Sequence, residues 1–312
     1  MEKFNLIMIS AWHEQFGNGM LRMLDGHPQL YAYPFESQIS TPLSGNMLAG
    51  PNHWVPQRYS YPEFPSEITS ENAYQLIWDQ ELKTYLRTPN LSKFKECGIM
   101  MSEKERIQLF VKNASQHARL TRAVLLEAFY RSTFLAWSNY PLSGHESHYV
   151  GYSPPILFDA DKFFSDFPEG NMVHVIRNPF SGYADTIKRP FPFSISKYCQ
   201  IWNAAQIHAL VYSKKYAGKF HIVYAEDIFS DPKTTMGTLL KNLGLPWSDS
   251  ALAPSFAGKA MEQVYPWGTV KYPTTKANIS TAAELTEQQH QAILIECNPI
   301  LDLLKYKKRF DY

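Results

Sequence analysis

Short apolar runs bounded by polar residues alternate along this chain with longer segments of helical periodicity. Such runs within residues 4–9, 172–179 and 219–228 predict buried strands, because short continuous apolar runs are typical of strands covered on both faces. Residues 28–37, "PQLYAYPFES", are a candidate for a further short strand.

Segments with apolar residues at every third or fourth position predict helices. The first, residues 19–25, follows the first strand after a single loop. A helix over residues 234–243 is expected to stop at Gly244 and Pro246, and Pro299 is a candidate break in the last helix. The other predicted helices cover residues 70–86, 102–112, 116–139, 196–216 and 285–304.

Strands separated by helices predict an α/β fold with a central, mostly parallel sheet flanked by helices. Ligands in such folds bind beyond the carboxyl ends of the strands. The loops after Ile9, Ile176 and Tyr224 are therefore expected at one edge of the sheet, where a binding site would form.

The first of these loops, "AWHEQFGNG" at residues 11–19, contains Gly17 and Gly19 and leads into a helix. Backbone N–H groups at a helix N-terminus attract anions, and glycine permits a close approach. The loop contains no Lys or Arg, and the chain has no Gly-Lys-Ser/Thr sequence, which argues against a standard nucleotide kinase or GTPase. An anion-binding loop and an ordinary strand-to-helix turn both remain open.

Charged side chains follow the other two strands. In "HVIRNP", Arg177 stands at the end of the apolar strand. It could bind a phosphate through two parallel hydrogen bonds, or could cap a neighbouring helix from the surface. Glu226 and Asp227 are expected to fix a loop rather than to act in catalysis. Asp231 and Pro232 predict the start of the next helix.

Composition narrows the function classes. A formal net charge of +1 does not favour a nucleic-acid partner. The cysteines Cys97, Cys199 and Cys297 are odd in number and widely spaced, so we expect neither a metal site nor a disulfide framework. The apolar stretch of residues 4–12 is too short for a signal peptide or a membrane span. The sequence therefore predicts a cytoplasmic protein with no metal and no membrane partner.

Several motifs, in their order along the chain, resemble those of the sulfotransferases that use 3′-phosphoadenosine 5′-phosphosulfate (PAPS). They are "MLDGHP" at 23–28, "HVIRNP" at 174–179 and, most specifically, "YAEDIFSDPKTTMGTLLKNLGLP" at 224–246. Residues 152–168 and 285–306 match more loosely. The resemblance implies a single P-loop-like α/β sulfotransferase domain over residues 1–312, in which 45–145 form a mostly helical insertion or cap.

The first loop departs from the family pattern, in which a Lys or Arg precedes glycine and threonines and holds the 5′-phosphosulfate. Glu14 stands where the cation is expected and Phe16 where the glycine is, and the family's "K-T-P" is "YSPP" at 152–155. The 5′-phosphosulfate loop is therefore degenerate. The backbone N–H groups expected to hold the 5′-phosphate instead are those of Gly17, Asn18 and Gly19. Candidates for the missing positive charge are His13, Lys188, Arg189, Lys271 and Lys276.

The resemblance assigns the 3′-phosphate of PAPS to Arg177 and to a serine eight residues later. That position is Asp185, whose charge would repel a phosphate, so the expected contact moves to Thr186. Residues 265–276 resemble the lid that wraps the 3′-phosphate. Gly268 and Lys271 are its expected contacts, with a solvated loop as the alternative.

A general base must take the proton of the acceptor hydroxyl. Glu36 resembles the catalytic glutamate of the family branch that modifies protein tyrosines, where it lies two residues nearer the His-Pro pair. Other branches use a histidine, and His13 is the first such candidate here. Further candidates are His53, His145 and His148.

The sequence therefore predicts an enzyme that moves a sulfuryl group from PAPS to a hydroxyl, or secondarily an amine, of a small or medium organic molecule or a glycan. The alternative is a catalytically impaired sulfotransferase-like module that only binds the nucleotide. A nucleotide kinase ranks last, because no carboxylate stands out as a Mg²⁺ ligand.

Overall fold

The computed structural model describes residues 3–45, 58–190, 192–261 and 274–311. A five-stranded sheet forms the centre, with strand order β2-β3-β1-β4-β5 and every neighbouring pair parallel. The predicted α/β class with a central parallel sheet is confirmed. The strands are β1 (Leu6–Ser10), β2 (Leu30–Ala32), β3 (His148–Tyr152), β4 (Asn171–Ile176) and β5 (Phe220–Tyr224).

Helices cover both faces of this sheet, and a small antiparallel pair, β6 (Ser255–Phe256) and β7 (Lys259–Ala260), lies outside it. The helices of the first half are α1 (Gly17–Leu24), α2 (Ser70–Leu76), α3 (Gln80–Arg87), α4 (Glu103–Ala114) and α5 (Arg122–Ala136). Those of the second half are α6 (Ala160–Asp166), α7 (Pro179–Thr186), α8 (Ile195–Lys215), α9 (Ala225–Ser230), α10 (Pro232–Asn242), α11 (Thr275–Ala282) and α12 (Glu287–Leu303).

Alternation along β1 divides its side chains between two cores. Ile7 and Ile9 pack with α1 and α10 on one face, whereas Leu6 and Met8 pack with α4, α5 and α8 on the other. Every residue of β1 is buried, as expected for the central strand of a parallel sheet. Within the region 45–145, α2 to α5 belong to the second of these cores. That this region is an insertion into a single domain stays a prediction.

The single helix predicted over residues 70–86 is wrong. The chain leaves the helix after Leu76, and Asp79 takes a left-handed backbone conformation with φ of 36° before α3 begins. The side chain of Asp79 is buried and accepts hydrogen bonds from Tyr33 Oη and Arg106 Nη1, each 2.5 Å long. A buried ion pair therefore overrides the helical periodicity of this segment.

Two further predictions need correction. Pro299 does not break the last helix, since α12 continues to Leu303 with Pro299 on its exposed side, where water can bond the freed carbonyl. The strand predicted over 219–228 ends at Tyr224, and Glu226 and Asp227 lie in α9 instead. Among the described residues, no helix is both long and apolar enough to cross a membrane.

Candidate functional site

The carboxyl ends of β1, β3, β4 and β5 meet at one edge of the sheet, because all four strands run in parallel. The first loop lies at this edge and is held by Gln15, whose side chain is buried. Its Oε1 accepts hydrogen bonds from Arg177 N at 2.7 Å and Trp202 Nε1 at 3.1 Å. The sequence analysis missed this residue, for which the only signal was its place in the loop.

The N-terminus of α1 leaves backbone donors unused. Phe16 precedes the helix in a left-handed conformation with φ of 72° and provides no side-chain cap. Among the described residues, the N–H groups of Gly17, Asn18 and Gly19 donate to no other group. Uncapped N–H groups at the positive end of a helix dipole are a favourable position for an anion. The first loop thus retains the backbone part of an anion-binding site.

The two glycines of this loop lie under aromatic rings. A Cβ on Gly17 would lie 2.3 Å from the Tyr152 ring, and a Cβ on Gly19 would lie 2.1 Å from the Phe16 ring. Tyr152 is buried, and this burial holds the pKa of its hydroxyl well above the usual range. By the motif comparison, Tyr152 stands where the family has the lysine of "K-T-P". An uncharged ring therefore packs against the helix N-terminus where a cation is expected.

Glu36 is brought to the same helix end. Its Oε1 accepts a hydrogen bond from Asn18 Nδ2 at 3.1 Å, and its Oε2 accepts one from Tyr59 Oη at 2.5 Å. Gln38 Nε2 in turn donates to Tyr59 Oη at 3.2 Å. Glu36 and Asn18 are thus brought together as neighbours, with a carboxylate held beside the free N–H groups of α1.

A surface pocket opens next to Glu36, and the sequence analysis did not find its second carboxylate, Glu81. Burial and then the charge of Glu36 raise the pKa of Glu81 to about 7, while Lys93, 2.7 Å away, offsets part of that rise. Phe35 and Phe94 stack in the wall of the pocket with ring centroids 3.9 Å apart. The remaining lining residues are Asn18, Arg22 and Pro34. The pocket combines aromatic walls with two carboxylates and a lysine.

His13 faces Thr186 rather than Glu36. Its Nδ1 lies 3.2 Å from Thr186 Oγ1, and its ring packs edge-on against Phe193. Burial is the largest effect on the pKa of His13 and lowers it. The charges of Glu14 and Glu36 raise this pKa and that of Arg189 lowers it, and the net shift is downward. Thr186 is fully buried and donates to the Gly182 carbonyl oxygen at 2.8 Å. The structure therefore places His13 as a neutral ring near pH 7, and the phosphate contact assigned to Thr186 stays a prediction.

Arg177 lies at the predicted end of β4, with its guanidinium already engaged. Nε donates to Asn278 Oδ1 at 2.7 Å, and Nη1 donates to Asp185 Oδ2 at 2.8 Å and to the Glu14 carbonyl oxygen at 3.1 Å. Contacts to the first loop, α7 and α11 therefore meet at one side chain.

The other cations proposed for the site are paired or fall elsewhere. Arg189 pairs with Glu14, while Lys188 pairs with Asp185 and Glu284. Lys276 is exposed on α11. The predicted lid residues Gly268 and Lys271, like the alternative base His53, lie outside the described residues.

Glu226 and Asp227, which were expected to fix a loop, lie in the helix α9, and their structural role stays a prediction. Glu226 is buried and accepts hydrogen bonds from Asn178 N at 3.0 Å and Tyr306 Oη at 2.5 Å. Asp227 forms a half-exposed ion pair with Arg309, 3.0 Å away. Asp231 caps α10 by accepting from the N–H of Thr234, as predicted.

A second cavity, of about 300 Å³, lies between α9, α11 and the C-terminal segment. Phe229 in its wall packs edge-on against Phe16 with ring centroids 5.0 Å apart, and Asn278 in its wall bonds Arg177. The other lining residues are Glu226, Thr275, Ile279, Arg309, Phe310 and Asp311. Two residues of its wall thus contact the first loop and the arginine after β4.

A model of the sulfotransferase family matches residues 20–249, which is more than half of the chain. The chain belongs to the sulfotransferase family. The resemblance recognised in the motifs is therefore confirmed, and so is the fold that it implied.

Solved sulfotransferase domains share the fold at low sequence identity. The sulfotransferase domain of the olefin synthase from Synechococcus PCC 7002 is 16% identical, with a TM-score of 0.55 and 94% of each chain covered. The sulfotransferase domain of the curacin biosynthetic pathway is 14% identical, with a TM-score of 0.50. The match covers 96% of this chain and 99% of that chain. No curated protein sequence matches this chain.

Proposed function

We propose that this sulfotransferase moves a sulfuryl group from PAPS to a hydroxyl group of a small or medium organic acceptor, with Glu36 as the general base. The observation that carries the proposal is the 3.1 Å hydrogen bond between Asn18 and Glu36. It brings a half-buried carboxylate to the uncapped N-terminus of α1, so that a base and an anion-binding helix end lie side by side.

The residues present fit the 5′ end of PAPS, where the helix N-terminus offers free N–H groups. Backbone N–H groups of Gly17, Asn18 and Gly19 would hold the 5′-phosphosulfate, which backbone donors at a helix N-terminus can do without a lysine. Arg177 would contribute to the ribose phosphate. The cavity of about 300 Å³ beside Phe229 is our candidate site for the nucleoside.

The chemistry requires one proton acceptor and a stable leaving group. Glu36 would take the proton of the acceptor hydroxyl as that oxygen forms its bond to sulfur. The bond between sulfur and the 5′-phosphate oxygen breaks, and its electron pair leaves with adenosine 3′,5′-bisphosphate. Such transfers depend mainly on positioning and on stabilising charge, and the helix N-terminus supplies both at the leaving oxygen.

We expect the acceptor hydroxyl to reach Glu36 from the pocket beside it. This pocket has a volume of about 10 Å³, room for about one water molecule, so it would admit the hydroxyl rather than the whole acceptor. Glu81 can carry a proton near neutral pH, which is consistent with a second polar group on the acceptor. We also expect the enzyme in the cytoplasm, in keeping with unpaired thiols at Cys97, Cys199 and Cys297.

A nucleotide-binding module without catalysis is the alternative, and one feature favours it. Glu14 stands at the cation position of the first loop and is paired with Arg189, while Tyr152 packs against Gly17. The loop therefore offers the transferring group no free side-chain cation among the described residues. A family member with this loop could retain binding and lose turnover.

The discriminating experiment has two steps. Calorimetry of the purified chain should show saturable binding of adenosine 3′,5′-bisphosphate that does not require Mg²⁺. Labelled PAPS, incubated with a panel of phenols, alcohols and amines, should then give at least one sulfated hydroxyl. Binding without transfer across the panel would favour the module, and absence of nucleotide binding would refute both functions.

A further inference from the structure

In the proposed function, the guanidinium of Arg177 binds the 3′-phosphate. In the structure, this guanidinium is already paired with the carboxylate of Asp185. Asp185 Oδ2 lies 2.8 Å from Arg177 Nη1, and only 12% of the arginine side chain is exposed. Nε and a second bond of Nη1 are used by Asn278 and by the Glu14 backbone. Among the described residues, only Nη2 of this guanidinium has no hydrogen-bond partner.

Asp185 is itself held by a second cation. Its Oδ1 lies 3.1 Å from Lys188 Nζ, and Lys188 in turn lies 2.7 Å from Glu284 Oε2. Two cations and two carboxylates thus alternate in one chain of ion pairs with no net charge. The described residues next to Arg177 therefore provide no excess positive charge that a dianion could use.

A phosphate binds an arginine best when two neighbouring N–H groups are free to form parallel bonds. Here one of those nitrogens already donates to a carboxylate, and a phosphate at Nη2 would lie close to that like charge. Placing like charges together in a binding site weakens binding, which is a common source of specificity. Asp185 should therefore reduce the contribution of the 3′-phosphate to affinity.

We propose that Asp185 sets the nucleotide specificity of this chain by competing with the 3′-phosphate for Arg177, so that adenosine 5′-phosphates with and without a 3′-phosphate bind with similar affinity. The proposal rests on the proposed function, which places the ribose 3′ position beside Arg177. Asp185 acts here as a specificity-determining residue, with no part in the transfer itself.

The test compares two nucleotides that differ only in the 3′-phosphate. Dissociation constants of adenosine 3′,5′-bisphosphate and adenosine 5′-monophosphate are measured by calorimetry for the wild-type chain and for Asp185→Asn. We expect wild-type constants within about threefold of each other. In Asp185→Asn the bisphosphate should bind at least about tenfold more tightly, which corresponds to about 1.4 kcal/mol, with the monophosphate changed by less than about twofold.

Glu284→Gln is the matched control, since it removes a carboxylate from the same chain of ion pairs without touching Arg177. It should shift the ratio of the two constants by less than about threefold. Asp185→Ser is a second variant, in case the asparagine still accepts from Arg177, and it should shift the ratio as Asp185→Asn does.

The proposal is overturned by either of two results. One is a wild-type chain that prefers the bisphosphate by more than about a hundredfold. The other is an unchanged ratio in both Asp185 variants, with melting temperatures equal to that of the wild type. These results leave the proposed function intact, whereas failure of the wild-type chain and both variants to bind either nucleotide would refute the proposed function as well.

Discussion

Replacing Glu226 with alanine should destabilise the protein far more than replacing its neighbour Asp227. Glu226 is 5% exposed, and its two carboxylate oxygens accept four hydrogen bonds. The donors belong to the turn after β4, to α11 and to the C-terminal segment, through Asn178, Asn278 and Tyr306. One side chain therefore ties three parts of the chain to the end of the sheet.

The magnitude follows from the donors that alanine would leave without a partner. Asn178 Nδ2 also donates to Ser181 Oγ, so it keeps a bond. The backbone N–H of Asn178, the side-chain amide of Asn278 and the hydroxyl of Tyr306 have no other described acceptor. Each unsatisfied buried donor costs about 1–3 kcal/mol. Glu226→Ala should therefore lower the free energy of unfolding by about 4 kcal/mol. Glu226→Gln keeps one acceptor oxygen and should cost about half as much.

The assay is urea unfolding followed by circular dichroism, with the midpoint and slope measured for each variant. Asp227→Ala is the control, because its ion pair with Arg309 is 39% exposed on the aspartate side and should contribute about 0–1 kcal/mol. The structural role assigned to Glu226 would be refuted if the free energy of unfolding of Glu226→Ala lay within about 1 kcal/mol of the wild-type value, with an unchanged dependence on urea concentration.

Two further predictions concern the first loop and the core. Gly17→Ala places a Cβ 2.3 Å from the Tyr152 ring and should lower the free energy of unfolding by about 1–3 kcal/mol. The same change should cost much less in a Tyr152→Ala background, and additive effects of the two substitutions would exclude this clash as the cause. Burial lowers the pKa of His174 to about 4. Between pH 6.5 and 4 this histidine therefore binds a proton in the unfolded chain but not in the folded chain. The free energy of unfolding should therefore fall by up to about 1.4 kcal/mol per pH unit between pH 6.5 and 4. Urea unfolding of His174→Gln should not show this loss, and an equal acid dependence in this variant would contradict the role given to His174.

Local patterns were sufficient for those parts of the fold in which sequence and burial agree. The apolar runs before Ile9 and Ile176 predicted the central strands, and Asp231 with Pro232 predicted the start of α10. Each of these features depends on residues that are close together along the chain.

Features created by distant contacts could not be predicted in this way. Asp79 interrupts a helical pattern because it pairs with Arg106 across the core. β3 was missed because "HYVGY" contains a histidine and a glycine and lacks a clear apolar run. At the site, Gln15 and Glu81 acquire their roles only when α8 and α3 fold against the sheet edge.

The most direct test of the central claim is the rate of sulfuryl transfer from PAPS in Glu36→Gln, measured with an acceptor that the wild-type chain sulfates. Glutamine preserves the hydrogen bond from Asn18 but cannot take the acceptor proton. If Glu36 is the general base, kcat should fall by about a hundredfold or more, and the dissociation constant of adenosine 3′,5′-bisphosphate should change by less than about threefold. A Glu36→Gln enzyme that transfers sulfuryl at the wild-type rate would contradict this role.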